Sequence, residues 1–455
     1  MPMSLTSKFA SAFMLQRAII LMGFAACAVN SNSSLAKDLY VAPGGNDSVA
    51  YTSNSITSPW ATIDHGLYNL RAGDHLYIRG GTYTPRYPVW LNSDYSRQAK
   101  GGDPNEVLNA QSGTATAPVV IENYQNDTVT VDLANIPGSS TAWVNLDAKS
   151  YWTFRGLTFI NTMMVFKVGE DHASTHNTFE NLKVTANRGG DNVAAIHLWG
   201  SNAEHTTIRG CTLRGPGQAV HANTGTIYVK GVNFLTILNN TLSDAPIGIY
   251  YKHRNDATAA SQADIEIAYN YIINTGRASL EYNGSFSRIH DNILGVGATA
   301  MHFGDANGAA GADYNLVEHN TFLGGSIRYN SAVDSSDPFP GVVGNVAVNN
   351  IILQPVESLL YTSATNTNVF GKNQYSSNSL IRSYNGIIKP SSDSIIGAPT
   401  FMGGGSPTSV AGYQLASGSV GQNAATDGKD MGADVSEIMS VSTPVPRPPS
   451  AVTAE

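Results

Sequence analysis

The chain has little charge and almost no cysteine. Asp, Glu, Lys and Arg make up only 13% of its 455 residues, and with 44 Gly and abundant Asn, Ser and Thr this fits a turn-rich β protein better than a helical one. Its two cysteines are Cys27, inside an N-terminal apolar stretch, and Cys211. A chain processed ahead of Lys37 keeps Cys211 alone, which excludes an internal disulfide. The formal net charge of −8 argues against a general nucleic-acid binder. Zinc-ligand spacing, a phosphate loop and a nucleophile elbow are all missing.

The apolar run Ala18-Ile-Ile-Leu-Met-Gly-Phe-Ala-Ala-Cys-Ala-Val29 is too short for a membrane span. Lys8 and Arg17 precede it, and Ser34-Leu35-Ala36 supplies small residues behind it, so 1–36 reads as a secretory signal peptide. Phe24-Ala25-Ala26 ahead of Cys27 is a poor lipoprotein signal, because Phe replaces the usual aliphatic residue. The expected destination is secreted or periplasmic.

What is present is repetition. Segments opening at Phe154, Phe179, Ile208, Ile237, Ile267, Ile289 and Val317 repeat one four-residue phrase, and a weaker copy ends at Asn350. Their fourth positions form one column: Leu157, Leu182, Cys211, Asn240, Asn270, Asn292, Asn320, Asn350. Self-similarity at a period of roughly 20–30 residues means a stacked repeat. Residues 38–84 read as an N-terminal cap in which Trp60, Ile63, Leu67 and Leu70 share one face of a helix over 59–70. A solenoid needs such a plug for its open end. Residues 85–113 read as a long insertion, coils run from 118 to about 365, and Tyr413-Gln-Leu and Met431-Gly-Ala-Asp are expected to close the C-terminal end. The domain assignment is 37–440 for the solenoid and 441–455 for a disordered tail.

The phrases Tyr40-Val-Ala-Pro-Gly-Gly-Asn-Asp and Gly73-Asp…Ile78-Arg-Gly-Gly-Thr-Tyr, together with the Asn column, resemble secreted right-handed parallel β-helix proteins. Polysaccharide lyases and glycosidases are prominent among them. The resemblance implies an all-β, right-handed parallel β-helix with an N-terminal capping helix, and it places the Asn amides at a turn.

About eight residues after each ladder position comes a second strand phrase: Ile196-His-Leu-Trp199, Ile227-Tyr-Val-Lys230, Ile249-Tyr-Tyr-Lys252, Leu280-Glu-Tyr-Asn283, Met301-His-Phe-Gly304 and Ile327-Arg-Tyr-Asn330. Alternation on a strand sends first and third residues inward. Second and fourth residues then point outward. They form one column of His197, Tyr228, Tyr250, Glu281, His302 and Arg328, and another of Trp199, Lys230, Lys252, Asn283, Gly304 and Asn330. Almost every rung offers a group that moves a proton, holds an anion or stacks on a sugar. This suits an acidic polysaccharide as partner.

The segment Ile247-Gly-Ile-Tyr-Tyr-Lys252 is similar to a run in family 9 pectate lyases, Asp-Gly-Phe-Ala-Ala-Lys, which supplies the base lysine. Gly248 and Lys252 match, whereas Ile247 replaces an acidic residue that would help bind calcium. Arg277-Ala-Ser-Leu-Glu281 stands where that family carries an Asp-Asp-Gly-Trp-Asp calcium run. The resemblance therefore implies Lys252 as an important residue and a calcium motif that is not retained; no cofactor is expected, although calcium elsewhere is allowed.

The expected activity is β-elimination on a uronate polymer by a monomer. Lys252 is the base, with Tyr250 and His302 as alternative base or acid, and Arg328 or Lys230 on the substrate carboxylate, which His302 can also position. His197, Trp199, Tyr228, Lys230, Glu281, Asn283 and Asn330 line the substrate path. Two alternatives stay open: a glycoside hydrolase using Glu281 and Asp305, and a non-catalytic glycan-binding solenoid.

Overall fold

A computed structural model describes residues 36–92, 101–137, 141–220, 223–252, 264–295, 299–303, 312–324, 326–329, 344–353, 356–358, 369–377, 381–382 and 391–439. The segments read as a signal peptide, up to residue 35, and as a tail, 441–455, lie outside these residues.

Among the described residues the strands form three sheets, of 12, 12 and 11 strands, in which each strand pairs with its counterpart one coil away. The first sheet runs from Asp38–Val41 to Val369–Phe370, the second from Gly81–Tyr83 to Ile395–Ile396, and the third from Val89–Trp90 to Ile381–Arg382. Within one coil the chain visits the sheets in that order, as in Trp152–Arg155, Thr158–Thr162 and Phe166–Val168. The arrangement is a parallel β-helix.

The repeated phrase is the first-sheet strand. Phe154, Phe179, Ile208, Ile237, Ile267, Ile289, Val317 and Ala347 are successive register partners. All of them are buried. Each large side chain in such a stack contributes about 1.5–3 kcal/mol relative to exposure. The residue just before each ladder position takes a left-handed backbone: Gly156, Asn181, Gly210, Asn239, Tyr269, Asp291, His319 and Asn349 have φ between 52° and 68°. One such residue turns the chain sharply from the first sheet to the second, and Gly and Asn tolerate it best.

The Asn column satisfies the backbone at this turn. Asn240 Oδ1 accepts from the backbone N–H of Cys211 at 2.9 Å, and Asn270 Oδ1 accepts from that of Asn240 at 3.0 Å. The pattern repeats through Asn292, Asn320 and Asn350. It runs one rung beyond the expected column, to Asn373. A second ladder, absent from the sequence reading, joins Ser287, Asn315 and Asn345. Cys211 is fully buried, and burial pushes its thiol up to about 12, which makes it a packing residue.

The capping helix spans Ile63–Asn69, shorter than expected, with Thr62 Oγ1 accepting from the His65 backbone N–H at 3.2 Å. Trp60, Ile63, Leu67 and Leu70 are buried as a group. Two expectations are corrected. Residues 85–113 are not wholly an insertion, because Val89–Trp90 opens the third sheet by pairing with Val144 and Asn145. Among the described residues, the segment from Gly432 to Glu437, part of which was expected to close the C-terminal end, instead runs back along the flank of the solenoid. Gly432, Ala433 and Asp434 donate to Asn349 O, Thr321 Oγ1 and Asp291 Oδ1, and Asn239 donates to Glu437 O.

Candidate active site

The third sheet sets the site. His197, Tyr228, Tyr250, Glu281, His302 and Arg328 are successive register partners, as are Trp199, Lys230 and Lys252. Neighbouring rungs lie ~4.8 Å apart. Ile196, Ile227, Ile249, Leu280 and Met301, with Leu198, Val229, Tyr251 and Tyr282, fill the interior as the alternation requires.

The outer columns are not the open row that alternation suggested. His197, Tyr228, Tyr250, Glu281 and Asn283 are all buried. Tyr228 and Tyr250 meet edge-on at 5.2 Å and pack with Ala194 and Ile247 in a small apolar cluster separate from the main core. Alternation gives a side chain its direction; it says nothing of what covers that side. Trp199, Lys230, Lys252 and His302 are half-buried. The backbone of Arg328 lies in register with His302, while Asp305 and Asn330 lie outside the described residues.

Cations follow this face. Lys230 Nζ lies 4.3 Å from the centre of the Trp199 ring and Lys167 Nζ lies 5.6 Å from it. The Trp199 indole therefore has two ammonium groups within cation–π range. Lys167, the register partner of His197, also pairs with Glu170 at 2.7 Å. Its phrase Phe166-Lys-Val168 repeats the apolar–polar–apolar pattern one coil earlier than the sequence reading began.

His197 packs against Tyr228 at 4.4 Å, and neither ring nitrogen has a hydrogen-bond partner among the described residues. Burial, reinforced by the charges of Lys167 and Lys230, lowers its pKa to about 3, so the ring is neutral at ordinary pH.

Glu281 is fully covered, and its Oε1 accepts from Arg277 Nη2 at 2.7 Å. Arg277 Nη1 donates to Asn223 Oδ1 at 3.1 Å, and the guanidinium carbon lies 5.9 Å from the Tyr250 ring centre. The residues at the calcium positions do not fit that ion. Ile247 is fully buried in the apolar cluster, Arg277 brings a positive charge, and the retained carboxylate of Glu281 is held by that charge.

Residues 39–213 match the family model described as "Pel9A-like, right handed beta helix region". The chain resembles the Pel9A-like proteins. The family-model match ends before Lys252, so the coils carrying Tyr250, Lys252, Glu281 and His302 lie beyond the matched stretch. Pectate lyase PEL9 of Emericella nidulans is 31% identical over 141 residues, which is 28% of this chain and 28% of that protein. The crystal structure of pectate lyase Pel9A superposes with a TM-score of 0.55 at 15% identity, covering 87% of this chain and 96% of that one. The fold is thus the right-handed parallel β-helix expected from the sequence. Among the described residues no helix is long and apolar enough to cross a membrane.

Proposed function

We propose that the protein is an exported polysaccharide lyase that cleaves a uronate-containing polymer by β-elimination. The observation that carries this reading is the pairing of Lys230 with Lys252 on adjacent rungs beside Tyr250, on a parallel β-helix that resembles pectate lyases. A cationic, aromatic face suits a polyanion despite the net negative charge of the chain.

The chemistry follows from the groups at hand. A cation on the uronate carboxylate stabilises the charge that builds as C5 loses its proton. Lys252, half-exposed on the outer face, takes the C5 proton. The electron pair left at C5 forms the C4–C5 double bond, and the C4–O4 bond breaks. O4 departs with a proton from His302, which is half-buried on the same face. The half-buried indole of Trp199 positions the neighbouring sugars, with neutral His197 packed behind it at 5.4 Å. Glu281 fits this scheme as a support for Arg277. As a hydrolytic acid it has no open approach to a glycosidic oxygen, because it is fully covered. The basic, apolar and small-residue segments of 1–36 are the basis for proposing export.

The test is product analysis on a panel of pectate, alginate and glycosaminoglycans. Mass spectrometry of the new non-reducing ends is expected to find unsaturated uronate on at least one polymer. Saturated ends on every polymer that is cut would replace the lyase with a hydrolase. Binding without cleavage would leave a glycan-binding solenoid.

A further inference from the structure

Resting on the lyase reading, we infer that Arg277 is the group that binds the substrate carboxylate. Arg277 stands at the corner just before the third-sheet strand Ala278–Tyr282, its backbone N–H donating to Pro246 O at 2.7 Å. Its guanidinium reaches across coils, donating to Asn223 on one side and to Glu281 on its own strand. Asn223 is itself held in place, its side-chain Nδ2 donating to Asp191 Oδ1 at 2.7 Å.

Burial separates the two partners of the ion pair. The Glu281 side chain is 0% exposed and that of Arg277 is 35% exposed. The carboxylate thus anchors the guanidinium from beneath, and the outer part of the guanidinium faces solvent beside Tyr250. A guanidinium has five N–H donors in a planar fork. Two are used by Asn223 and Glu281 among the described residues, which leaves donors for a carboxylate. Arginine is the side chain best matched to bidentate carboxylate binding. Stability alone gives a weak reason to keep such a pair, since apolar replacements of buried ion pairs are often neutral or stabilising. The other described cations on this face are otherwise placed: Lys167 pairs with Glu170, Lys230 sits over Trp199, and Lys252 is assigned the proton. With Ile247 apolar and Arg277 cationic, carboxylate recognition here is independent of calcium.

The experiment uses the native chain and three variants, Arg277→Gln, Arg277→Lys and Arg277→Gln combined with Glu281→Gln. The double variant removes the buried carboxylate that Arg277→Gln alone would leave unpaired, and thermal melts confirm that each variant folds. Rates are measured on a polyuronate with free carboxylates and on its methyl ester, in chelator and in added calcium, and polymer binding is measured alongside. The native chain is expected to keep its rate in chelator and to prefer the free acid. Arg277→Gln and the double variant are expected to lose about 10- to 100-fold in kcat/KM on the free acid and to keep their rate on the ester. Arg277→Lys should fall between.

An equal loss on both polymers, or none on the free acid, overturns the inference. So does a native rate that collapses in chelator and returns with calcium. If the native chain makes no unsaturated product from any polymer, the lyase reading fails by itself. Arg277 is then judged by binding: selective loss of affinity for the free acid in Arg277→Gln upholds its role, and unchanged affinity ends it.

Discussion

Lys252 is the register partner of Lys230, which places two lysines on adjacent rungs of the third sheet. Like charges so close on an outer face are a cost to the fold. They are explained if the face exists to meet an anion. Replacing Lys252 with Ala or Arg is expected to lower kcat by about 100- to 10,000-fold, the usual range for loss of a general base. The melting temperature should hardly move, because the side chain is half-exposed. Steady-state kinetics beside a thermal melt checks both parts.

His197 makes the fold sensitive to acid. Its folded pKa of about 3 lies below the ordinary value near 6.5, mainly because it is buried. Above pH 6.5 both folded and unfolded chains hold the ring neutral, and His197 adds no pH dependence. As pH falls from 6.5 towards 3, the unfolded chain takes up a proton that the folded chain refuses, and stability declines. The loss is about 2 kcal/mol at pH 5. Urea unfolding at pH 7.5 and pH 5 should show a shallower pH dependence in His197→Gln than in the native protein. Equal slopes would place the ring in a more polar setting than the one described.

The Asn column predicts a large cost for a small change. Asn292 Oδ1 accepts from the Asn270 backbone, and its amide donates to Ile267 O at 2.8 Å and Asn320 Oδ1 at 2.9 Å. Asn292→Leu keeps the volume and removes every one of these bonds. Each buried polar group left unpaired costs about 1–3 kcal/mol, so a loss of about 3 kcal/mol or more is expected. Denaturant unfolding measures it, with attention to a second transition, since neighbouring coils of a solenoid can uncouple.

Cys211 should be inert while the protein is folded. Its thiol is buried in the ladder column and raised to about 12 by that burial. Labelling by a soluble thiol reagent is expected to follow unfolding and not reagent concentration. Rapid labelling of the native protein at this residue would contradict the packing described.

The fold was legible because each coil repeats the same physical problem. Phe154, Phe179 and Ile208 announce an inward strand position, and the residue before each ladder position announces the turn. The second ladder was missed because Asn315 and Asn345 have few counterparts: Ser287 takes one rung and apolar residues take others. The flank position of Met431-Gly-Ala-Asp434 was not legible because its contacts are distant in sequence, as with Asp434 and Asp291. At the site, alternation set the columns and their register correctly. It did not reveal that Tyr228, Tyr250 and Glu281 are covered, because cover comes from elements outside the strand. Arg277 precedes the tetrad containing Glu281 and so fell outside the columns, although its replacement of an acidic residue was visible in the sequence.

The most direct test of the account is the ultraviolet absorbance of the reaction as native protein meets pectate, alginate and glycosaminoglycans in chelating buffer. The account predicts a steady rise on at least one of them, from the new C4–C5 double bond. Depolymerisation with no rise in absorbance on any polymer would contradict it.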